Sequence, residues 1–460
     1  MSSHKYSIGA VILAAGKGTR MFSHKPKVLQ ELLGEPILRF VYRALDPIIQ
    51  GGIWTVIGHG AQLVRDAFAE EQRSFVMQEE QLGTGHALQC AWDDIAASGA
   101  EFILAINGDT PLVQQSALEK LVAETTAAQA DVGFITLTLD EKNAFGRVVR
   151  VKGKVNAIVE VKDYDENTFG PEPNEVNAGI YLLKVATVAP LLSRLSNANA
   201  NGEYYITDII GLAVTEELHV HGVECGHDTN LMGVNTPAEL ARSEESLRRQ
   251  IVESHLERGV HIHAPESVRI GPEVTIEPGA IIHGPCELYG KTAIGAEAVI
   301  HSHCWVKNSV LHPACELRNF SHVEQAEIGT GAVAGPYARL RPGAVMEEDA
   351  RVGNFVEMKK AILRKGAKAS HLTYLGDADV GSEANIGAGT ITCNYDGINK
   401  HRTIIGAKAF IGSNSALVAP VKIGDEALVG AGSVITKDVE DGELAIARGR
   451  QKNLRKKRHP

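Results

Sequence analysis

The sequence predicts an α/β protein in which an N-terminal domain on a mostly parallel sheet is joined by a helical linker to a C-terminal parallel β-helix. Three observations carry this prediction. Apolar runs alternate with helical patterns up to about residue 235, a glycine-rich turn follows the first run, and an aliphatic residue recurs every six positions beyond residue 260. We place the domains at 1–235 and 260–460 and the linker at 236–259.

Composition excludes several classes of protein. The 460 residues are 44% hydrophobic and 22% charged, which is an ordinary soluble balance. No apolar run reaches the ~18 residues of a membrane span, and the polar N-terminus is too short for a signal peptide, so we expect a cytoplasmic protein with no membrane partner. The net charge of −10 argues against a nucleic-acid partner despite a basic tail after Arg448. Six scattered cysteines without a C-x-x-C pair predict reduced thiols.

The first strand leads into a phosphate-binding turn. Ile8–Leu13 is an apolar run, and Gly16 and Gly18 after it let backbone N–H groups approach phosphate oxygens. Arg20 and Lys27 add positive charge to this turn. Further strands are predicted at 53–57, 102–106, 132–139 and 179–183, each at the spacing of a βα unit.

Two later segments predict ligand-binding groups of the same domain. Asp109 follows the strand 102–106, at a carboxyl end beside the proposed phosphates, where a carboxylate can hold Mg²⁺. The segment Gln78–Ala87 predicts a polar turn that enters a helix; its side-chain amides have the groups to pair with a pyrimidine edge, and the resemblance given below favours that role.

The string L-x-x-G-x-G-T-x-M-x4-P-K over residues 13–27 resembles the signature of the sugar-nucleotide pyrophosphorylases, which implies a Rossmann-like nucleotidyltransferase domain. The segments after it are similar to the N-acetylglucosamine-1-phosphate uridyltransferases, whose substrates are UTP and N-acetylglucosamine-1-phosphate. That resemblance implies catalytic roles for Arg20 and Lys27 and Mg²⁺ on Asp109 and Asn235. The implied nucleotide and sugar contacts are Leu13, Ala14, Ala15, Gly16, Lys27, Gln78, Gly83, Thr84, Asn107, Gly108, Asp109, Gly146, Glu160, Asn177 and Asn235.

The chemistry implied for this domain fits these residue types. A sugar 1-phosphate has a second pKa of about 6 and is largely a dianion at neutral pH, so it attacks the α-phosphorus without a general base. Charge neutralisation and alignment are what the site must supply. We expect Arg147, next to Gly146, and the segment 201–208 to help line the sugar pocket.

The linker is predicted to be a helix with clear start and end signals. Thr236 and Glu239 form a capping box around Pro237, and Gly259 follows the last turn. Beyond it three registers of aliphatic residues repeat with a period of six, which predicts a parallel β-helix. Resemblance to known repeat families implies left-handed triangular coils of three hexads. The registers are Ile270, Ile276, Ile282, Leu288, Ile294, Ile300 and Val306; Ile328, Ala334, Leu340, Met346, Val352 and Met358; and Ile405, Ile411, Leu417, Ile423, Val429 and Ile435.

Two interruptions of the repeat predict loops that leave the coils. The first, 364–379, carries His371 and Tyr374, and the second spans 392–402. Arg341 and Lys359 are eighteen residues apart, one coil, so they stack on one edge; with no carboxylate between them they predict a phosphate clamp.

These residues match the glucosamine-1-phosphate acetyltransferase site. The resemblance implies acetyl-CoA as co-substrate, His371 as the general base, and a homotrimer with the site between subunits. The implied sugar-phosphate contacts are Arg341, Lys359, Tyr374 and Asn385, and the implied acetyl-CoA contacts are Ala388, Asn394, Tyr395, Ser413, Ala431 and Arg448. Together the two resemblances cover about residues 8–449 and imply an enzyme with two activities.

Three alternatives stay open at this point. In the first, the chain is a pyrophosphorylase with one activity and a structural β-helix. In the second, the β-helix is only a trimerisation module. A third alternative is a metal hydratase like the γ-class carbonic anhydrases, suggested by His261, His263, His301, His303 and His312.

Overall fold

The computed structural model describes residues 6–455 and divides into two compact units on either side of the bond between Glu245 and Ser246. The N-terminal unit is built on one nine-stranded sheet with the order β11-β7-β10-β6-β1-β4-β5, to which the hairpin β8-β9 is added through β10. Its strands, with the separate pair β2-β3, are β1 Ile8–Leu13, β2 Glu31–Leu32, β3 Glu35–Pro36, β4 Ile53–Ile57, β5 Ser74–Met77, β6 Phe102–Asn107, β7 Val132–Thr138, β8 Arg147–Val151, β9 Lys154–Val159, β10 Glu175–Lys184 and β11 Val220–Glu224.

The predicted mostly parallel sheet is confirmed; the antiparallel pairings are those of β10, at the centre, and of the hairpin β8-β9. β1 pairs in parallel with β4 and β6, whereas β10 runs antiparallel to both β6 and β7. Side chains of β1 alternate between two cores: Ile8 and Ile12 pack on one face of the sheet, and Val11 and Leu13 on the other. Helices therefore cover both faces, and the strand ends form the open edge where loops are free to bind ligands.

Eight α-helices and five 3₁₀ turns connect these strands and lead to the second unit within the described residues. The helices are α1 Ile37–Leu45, α2 Ala61–Ala67, α3 Thr84–Ala97, α4 Gln115–Ala127, α5 Glu166–Phe169, α6 Val185–Leu192, α7 Asp208–Thr215 and α8 Pro237–Glu257. The 3₁₀ turns are Thr19–Met21, Lys27–Leu29, Val161–Asp163, Thr229–Leu231 and Pro265–Ser267.

The helix α8 occupies the segment predicted as a linker. The Thr236 hydroxyl accepts a hydrogen bond from Glu239 N at 3.2 Å, and the Glu239 carboxylate accepts one from Thr236 N at 3.1 Å, which is the predicted capping box. Gly259, at φ 89°, follows the helix as predicted. The assignment of this helix as a boundary between two folding domains stays a prediction.

The C-terminal unit is a β-helix with three parallel sheets of eleven, ten and nine strands. We call them the first, second and third faces. The first face contains His261–His263, Ile281–His283, Val299–Ile300, Glu316–Leu317, Val333–Ala334, Arg351–Asn354, Lys368–His371, Asn385–Ile386, Phe410–Ile411, Leu428–Val429 and Leu444–Ala445. The second contains Val268–Ile270, Cys286–Tyr289, Cys304–Lys307, His322–Glu324, Arg339–Leu340, Glu357–Lys359, Tyr374–Gly376, Ile391–Cys393, Ala416–Val418 and Val434–Ile435. The third contains Thr275–Ile276, Ala293–Ile294, Val310–Leu311, Glu327–Ile328, Val345–Met346, Ile362–Leu363, Ala378–Val380, Thr403–Ile405 and Val421–Ile423.

The interior of the β-helix is the predicted stack of hexad residues. All three registers lie in one buried cluster that runs through the coils, from Ile270 to Ile435. Neighbouring coils pair in parallel at an offset of eighteen residues in many places, as between Thr275 and Ala293, and of seventeen where one side is a residue short, as between Val299 and Glu316. This confirms three hexads per coil, while the handedness stays an expectation from the resemblance.

The first predicted interruption is wrong, and the second is confirmed. Residues 368–371, 374–376 and 378–380 are regular strands, so His371 and Tyr374 lie on the coils and not on a loop. The period of six fails there because two sides of the coil have five residues instead of six. The successive inward-facing residues are Met358, Leu363, Ala369, Leu375 and Val380. Between Cys393 and Thr403 the chain leaves the coil as predicted, and its one pairing is the isolated bridge of Tyr395 with Lys400.

Candidate active sites

The predicted phosphate turn begins at the carboxyl end of β1, between β4 and β6. Ala14 N donates to Val56 O and Gly108 N donates to Leu13 O, both at 2.9 Å, so the turn and the segment 107–109 are held side by side. Gly18 has φ 58°, and a Cβ there would lie 2.8 Å from Cβ of Lys27. Glycine at this position therefore lets the turn pack directly against the lysine.

Four predicted polar residues converge beside this turn. Lys27 Nζ donates to Asp109 Oδ2 in a short contact and to Asn235 Oδ1 at 3.1 Å. Arg20 Nη2 donates to the same Asn235 oxygen at 2.9 Å. Two cations, a carboxylate and an amide from four separate segments of the chain thus form one cluster, which we call the phosphate cluster.

The oxygens of the phosphate cluster suit a hard divalent cation. Asp109 Oδ1 is buried and has no hydrogen-bond partner among the described residues. A Cβ on Gly233 would lie 2.8 Å from that oxygen, so glycine keeps this side of the carboxylate open. Mg²⁺ is typically held by one or two protein oxygens and completes its shell with water and phosphate oxygens. Asp109 and Asn235 supply two such oxygens.

The capping box of α8 also positions Asn235. The carboxylate of Glu239 accepts a hydrogen bond from Asn235 N at 2.6 Å, in addition to the one from Thr236 N. Val234 N donates to Asp109 O at 2.8 Å, which ties the same segment to the end of β6. A local helix-start signal therefore fixes the residue that faces the phosphate cluster.

The predicted sugar-pocket residues are neighbours. A Cβ on Gly146 would lie 3.3 Å from Glu160 Oε1, and Asn177 N donates to Gly146 O at 2.9 Å. Gly179 has φ 75° and leaves room for the side-chain amide of Asn107. The absence of a Cβ at these two glycines lets the side chains of Glu160 and Asn107 pack against the backbone at this edge of the sheet.

The pocket also contains groups with altered acidity. Burial raises the pKa of Glu160, whose Oε1 accepts a hydrogen bond from Thr207 Oγ1 at 3.2 Å. Burial and the nearby Asp163 raise the pKa of Asp208 to about 6. Arg147, expected at the sugar pocket, is buried, and its guanidinium pairs with Glu172, so its role in ligand binding stays a prediction. Asp208 was missed as a single residue because only its segment had been singled out.

The predicted base-reading loop packs at the start of α3. Gln78 Nε2 donates to Gly83 O at 3.1 Å and lies 2.9 Å from His86 Nδ1. Thr84 Oγ1 accepts a hydrogen bond from Ile206 N at 3.1 Å. A Cβ on Gly58 would lie 3.0 Å from Gln78 O and 3.1 Å from Cβ of Ala15, so this loop and the phosphate turn share one edge of the sheet.

In the C-terminal unit, five candidate residues and Asn354 lie in one column at the corner between the first and second faces, which we call the first corner. Asn354 and His371 are register partners, and Leu372 N donates to Asn354 O at 3.0 Å. The next coils bring Ala388, Ser413 and Ala431 to the same corner, and Arg448 Nη1 donates to Ala431 O at 2.6 Å. These residues are far apart in the sequence, but each lies one coil from the next in the structure.

His371 has an oriented imidazole. Its Nδ1 lies 2.6 Å from Asn354 Oδ1, an atom that only accepts hydrogen bonds, so the proton is on Nδ1. The ring is exposed at the corner, and Nε2 is available to accept a proton. Asn354 was missed as a partner because the short coil side after Met358 hid the offset of one coil.

The predicted cation pair lies at the corner between the second and third faces, which we call the second corner. Arg341 N donates to Met358 O at 2.9 Å, which sets Arg341 beside Lys359 on the next coil. The absence of a carboxylate is contradicted, because Arg341 Nη1 donates to Glu357 Oε1 at 2.7 Å. The neighbouring ammonium of Lys400, followed by Arg341, lowers the pKa of Lys359. Three cations thus meet beside two carboxylates: Glu357 pairs with Arg341, and Asp377 acts more weakly in the opposite direction on the pKa of Lys359.

The loop 394–402 lies over this second corner. Asn394 is buried and its Nδ2 donates to Asp377 Oδ2 at 2.5 Å, whereas Tyr395 is largely exposed. Beneath the loop is a cavity of about 370 Å³ lined by Lys360, Asp377 and Lys400, among others. Tyr374 lies on the second face close to Asn394, and Asn385 lies on the first face between Lys368 and Phe410.

The histidines of the early coils do not form the arrangement of a metal hydratase. The rings of His263, His283 and His301 are stacked nearly parallel, with centroids 4.7 and 5.4 Å apart. His301 and His312 each pair with a glutamate. Within residues 6–455 no three His, Cys, Asp or Glu side chains are grouped to hold a metal ion. The same part of the chain contains no helix with the length and apolarity of a membrane span.

Comparison with known proteins assigns both halves of the chain. The MobA-like NTP transferase domain matches residues 10–157, the GMPPB C-terminal domain matches 269–364, and the hexapeptide repeat of succinyl-transferase matches 402–437. Three curated relatives carry the name Bifunctional protein GlmU. That of Oleidesulfovibrio alaskensis is 74% identical over 100% of both chains, that of Nitratidesulfovibrio vulgaris 63% over 98% of this chain and 99% of its own, and that of Lawsonia intracellularis 48% over 98% of each. Because relatives of this name match nearly the whole chain at 48% to 74% identity, this chain belongs to the family of bifunctional GlmU proteins.

Proposed function

We propose that this enzyme transfers an acetyl group from acetyl-CoA to glucosamine-1-phosphate, and a uridylyl group from UTP to N-acetylglucosamine-1-phosphate with release of pyrophosphate. The observation that carries the proposal is the presence of two separate polar clusters on two units of one chain. The first is the phosphate cluster of Arg20, Lys27, Asp109 and Asn235. The second is the oriented His371 with the cations of the second corner. A pyrophosphorylase of one activity has no use for the second cluster.

The phosphate cluster fits uridylyl transfer. The attacking sugar phosphate is already an anion, so the residues need only align it with the nucleotide and offset charge. Arg20 and Lys27 approach from the glycine turn, where backbone N–H groups also face the phosphates. Asp109 and Asn235 would hold Mg²⁺, which when bound neutralises the charge of the transferring phosphates. Lys27 then exchanges its contact with Asp109 for phosphate oxygens.

The first corner fits acetyl transfer. The amine of the sugar, with a pKa of about 7.7–8.0 for an α-amino group, must lose a proton as the C–N bond to the acetyl carbon forms. His371 Nε2 accepts that proton, since Nδ1–H is held by Asn354 Oδ1. The thiolate of CoA leaves as the tetrahedral intermediate collapses. The column of Ala388, Ser413, Ala431 and Arg448 extends from His371 and supports a bound CoA chain.

The second corner fits the phosphate of the acetyl acceptor. Lys359 has Lys400 and Arg341 as cationic neighbours, and a phosphate group between them relieves that repulsion. Glu357 holds the Arg341 guanidinium in place at 2.7 Å and leaves its other N–H groups for the substrate.

We further propose a homotrimer in which the acetyl-transfer site lies between subunits. Four exposed apolar side chains stack along the first corner, and the rings of Phe320 and Tyr337 and of Tyr337 and Phe355 are 4.9 and 5.2 Å apart. Leu372 continues this row beside His371, and Ile398 on the projecting loop is 86% exposed. An exposed apolar row beside a catalytic group supports coverage by another copy of the chain.

Assays of the purified protein test the proposal. We expect acetyl transfer with acetyl-CoA and glucosamine-1-phosphate, and pyrophosphate release with UTP and N-acetylglucosamine-1-phosphate. Chelation of divalent cations should abolish only the second activity, and added Mg²⁺ should restore it. A protein that lacks either activity, or whose acetyl transfer also needs the cation, contradicts the proposal.

A further inference from the structure

The carboxamide of Gln78 has both hydrogens of its nitrogen occupied by the protein. Nε2 donates to Gly83 O at 3.1 Å and lies 2.9 Å from His86 Nδ1. The atom that faces a backbone carbonyl must be the nitrogen, because a carbonyl oxygen only accepts hydrogen bonds. This contact fixes which way the amide points, and the side chain is only 2% exposed.

The same geometry fixes the tautomer of His86. Since Nε2 of Gln78 is a donor, His86 Nδ1 must be the acceptor, and in the neutral ring the proton is on His86 Nε2. Cys90 Sγ lies 3.9 Å from that nitrogen, one turn along α3, and in this tautomer the sulfur is a weak acceptor of the Nε2 hydrogen. The ring of Tyr204 packs at 6.3 Å.

As a result Gln78 can offer only an acceptor to a ligand. Among the described residues no group donates a hydrogen bond to its Oε1, and this oxygen is not sealed from solvent. The segment lies on the sheet edge shared with the phosphate turn, and it is the segment expected to contact the base in the proposed uridylyl transfer. An acceptor there pairs with a base that presents an N–H. Uracil has N3–H at this edge, whereas cytosine has an unprotonated N3.

We propose that His86 is a positioning residue for base selection: by occupying the second hydrogen of Gln78 Nε2 it keeps Oε1 toward the base and so favours uracil over cytosine. The inference rests on the proposed uridylyl transfer. If the amide turned over while His86 kept this tautomer, its oxygen would face two acceptors, Gly83 O and His86 Nδ1, and relief would require the imidazole proton to move from Nε2 to Nδ1. Without the imidazole only Gly83 O opposes that rotation, and the amide can then donate to cytosine N3.

Two variants and three nucleotides separate this role from a structural one. His86→Leu removes the acceptor, and His86→Asn supplies an oxygen near the position of Nδ1. We expect His86→Leu to lower the ratio of kcat/KM for UTP over CTP by about tenfold, and His86→Asn to keep it within about threefold. The ratio for UTP over dTTP should not change in either variant, because uracil and thymine share N3–H.

A general loosening of the site would lower both ratios together, and that result overturns the inference. So does a His86→Leu variant that keeps the UTP over CTP ratio of the parent, or a His86→Asn variant that loses as much as His86→Leu. Calorimetric affinities for UDP and CDP should follow the same pattern. Acetyl transfer of each preparation reports on intact protein. A parent protein inactive with all three nucleotides overturns the proposed function itself, and the inference with it.

Discussion

The phosphate cluster and the acetyl-transfer residues differ in how much of a site one chain supplies. In the N-terminal unit, Lys27 and Asp109 are each only 15% exposed and hydrogen-bond across 82 positions of sequence. In the C-terminal unit, His371 is exposed on a corner, and Arg341 and Lys359 lie at the other end of the second face. A sheet with helices on both faces gathers its strand ends into one crevice, whereas a β-helix sets equivalent positions in rows on a convex surface. We therefore expect only the first arrangement to make a complete pocket from one chain.

The largest effect is expected for the group that moves the proton. His371→Ala should lower kcat for acetyl transfer by about 10²- to 10⁴-fold, since it removes the general base. KM for glucosamine-1-phosphate should change little, and uridylyl transfer should stay at the parent rate. Steady-state kinetics over pH 6 to 9 check this. A kcat within a few-fold of the parent throughout that range refutes the role of His371.

Removal of a phosphate-binding cation should act mainly on affinity. Lys359→Ala should raise KM for glucosamine-1-phosphate by about tenfold or more, because a charge-assisted hydrogen bond to the phosphate is lost. Lys365→Ala is the matched control, since Lys365 is exposed on the same coils and paired with Glu348. Equal effects of the two substitutions would remove the second corner from the site.

The comparison also predicts which activity depends on assembly. When the full-length protein is diluted or treated with low urea, acetyl transfer per chain should fall several-fold in step with the loss of trimer. Uridylyl transfer should persist in the monomer, because its groups all come from one unit. Light scattering measured beside both activities tests this. A monomer at micromolar concentration with full acetyl transfer would show that one chain suffices.

The smallest effect concerns acid stability of the β-helix. Burial, and then the flanking His263 and His301, lower the pKa of His283, so its protonation is disfavoured in the folded state. Stability should therefore fall as pH decreases below the ordinary histidine pKa of about 6.5 toward the lower folded value. His283→Gln should make the fall in Tm between pH 7.5 and 5 smaller than in the parent, and the difference between the two proteins should be less than about 2 °C. An unchanged pH dependence in the variant contradicts this effect of the stack.

The repetitive parts of the fold could be predicted from the sequence, whereas the parts that depend on the exact length of each coil side could not. Hexads such as Ile405–Ile411–Leu417 are visible because each aliphatic must point inward, and the capping box at Thr236 is a local signal. The sequence pattern predicts a loop around His371 because two sides of the coil have five residues instead of six. No periodic rule shows where a side of the coil is shortened.

Contacts between distant side chains were equally invisible. The pairing of Arg341 with Glu357, and the proton arrangement of Gln78 and His86, depend on side-chain directions that spacing does not give. The convergence of Asp109 and Asn235 on Lys27 was expected only from the resemblance, because 126 positions of chain separate the two oxygen ligands.

The central claim is that two independent sites reside on one chain, and both activities measured on the same preparations test it most directly. Asp109→Asn should lower uridylyl transfer by about 10²-fold or more and leave acetyl transfer at the parent rate. His371→Ala should do the reverse, with the same elution volume and melting temperature in both variants. If either substitution abolished both activities in folded protein, the two clusters would belong to one site and the account would be wrong.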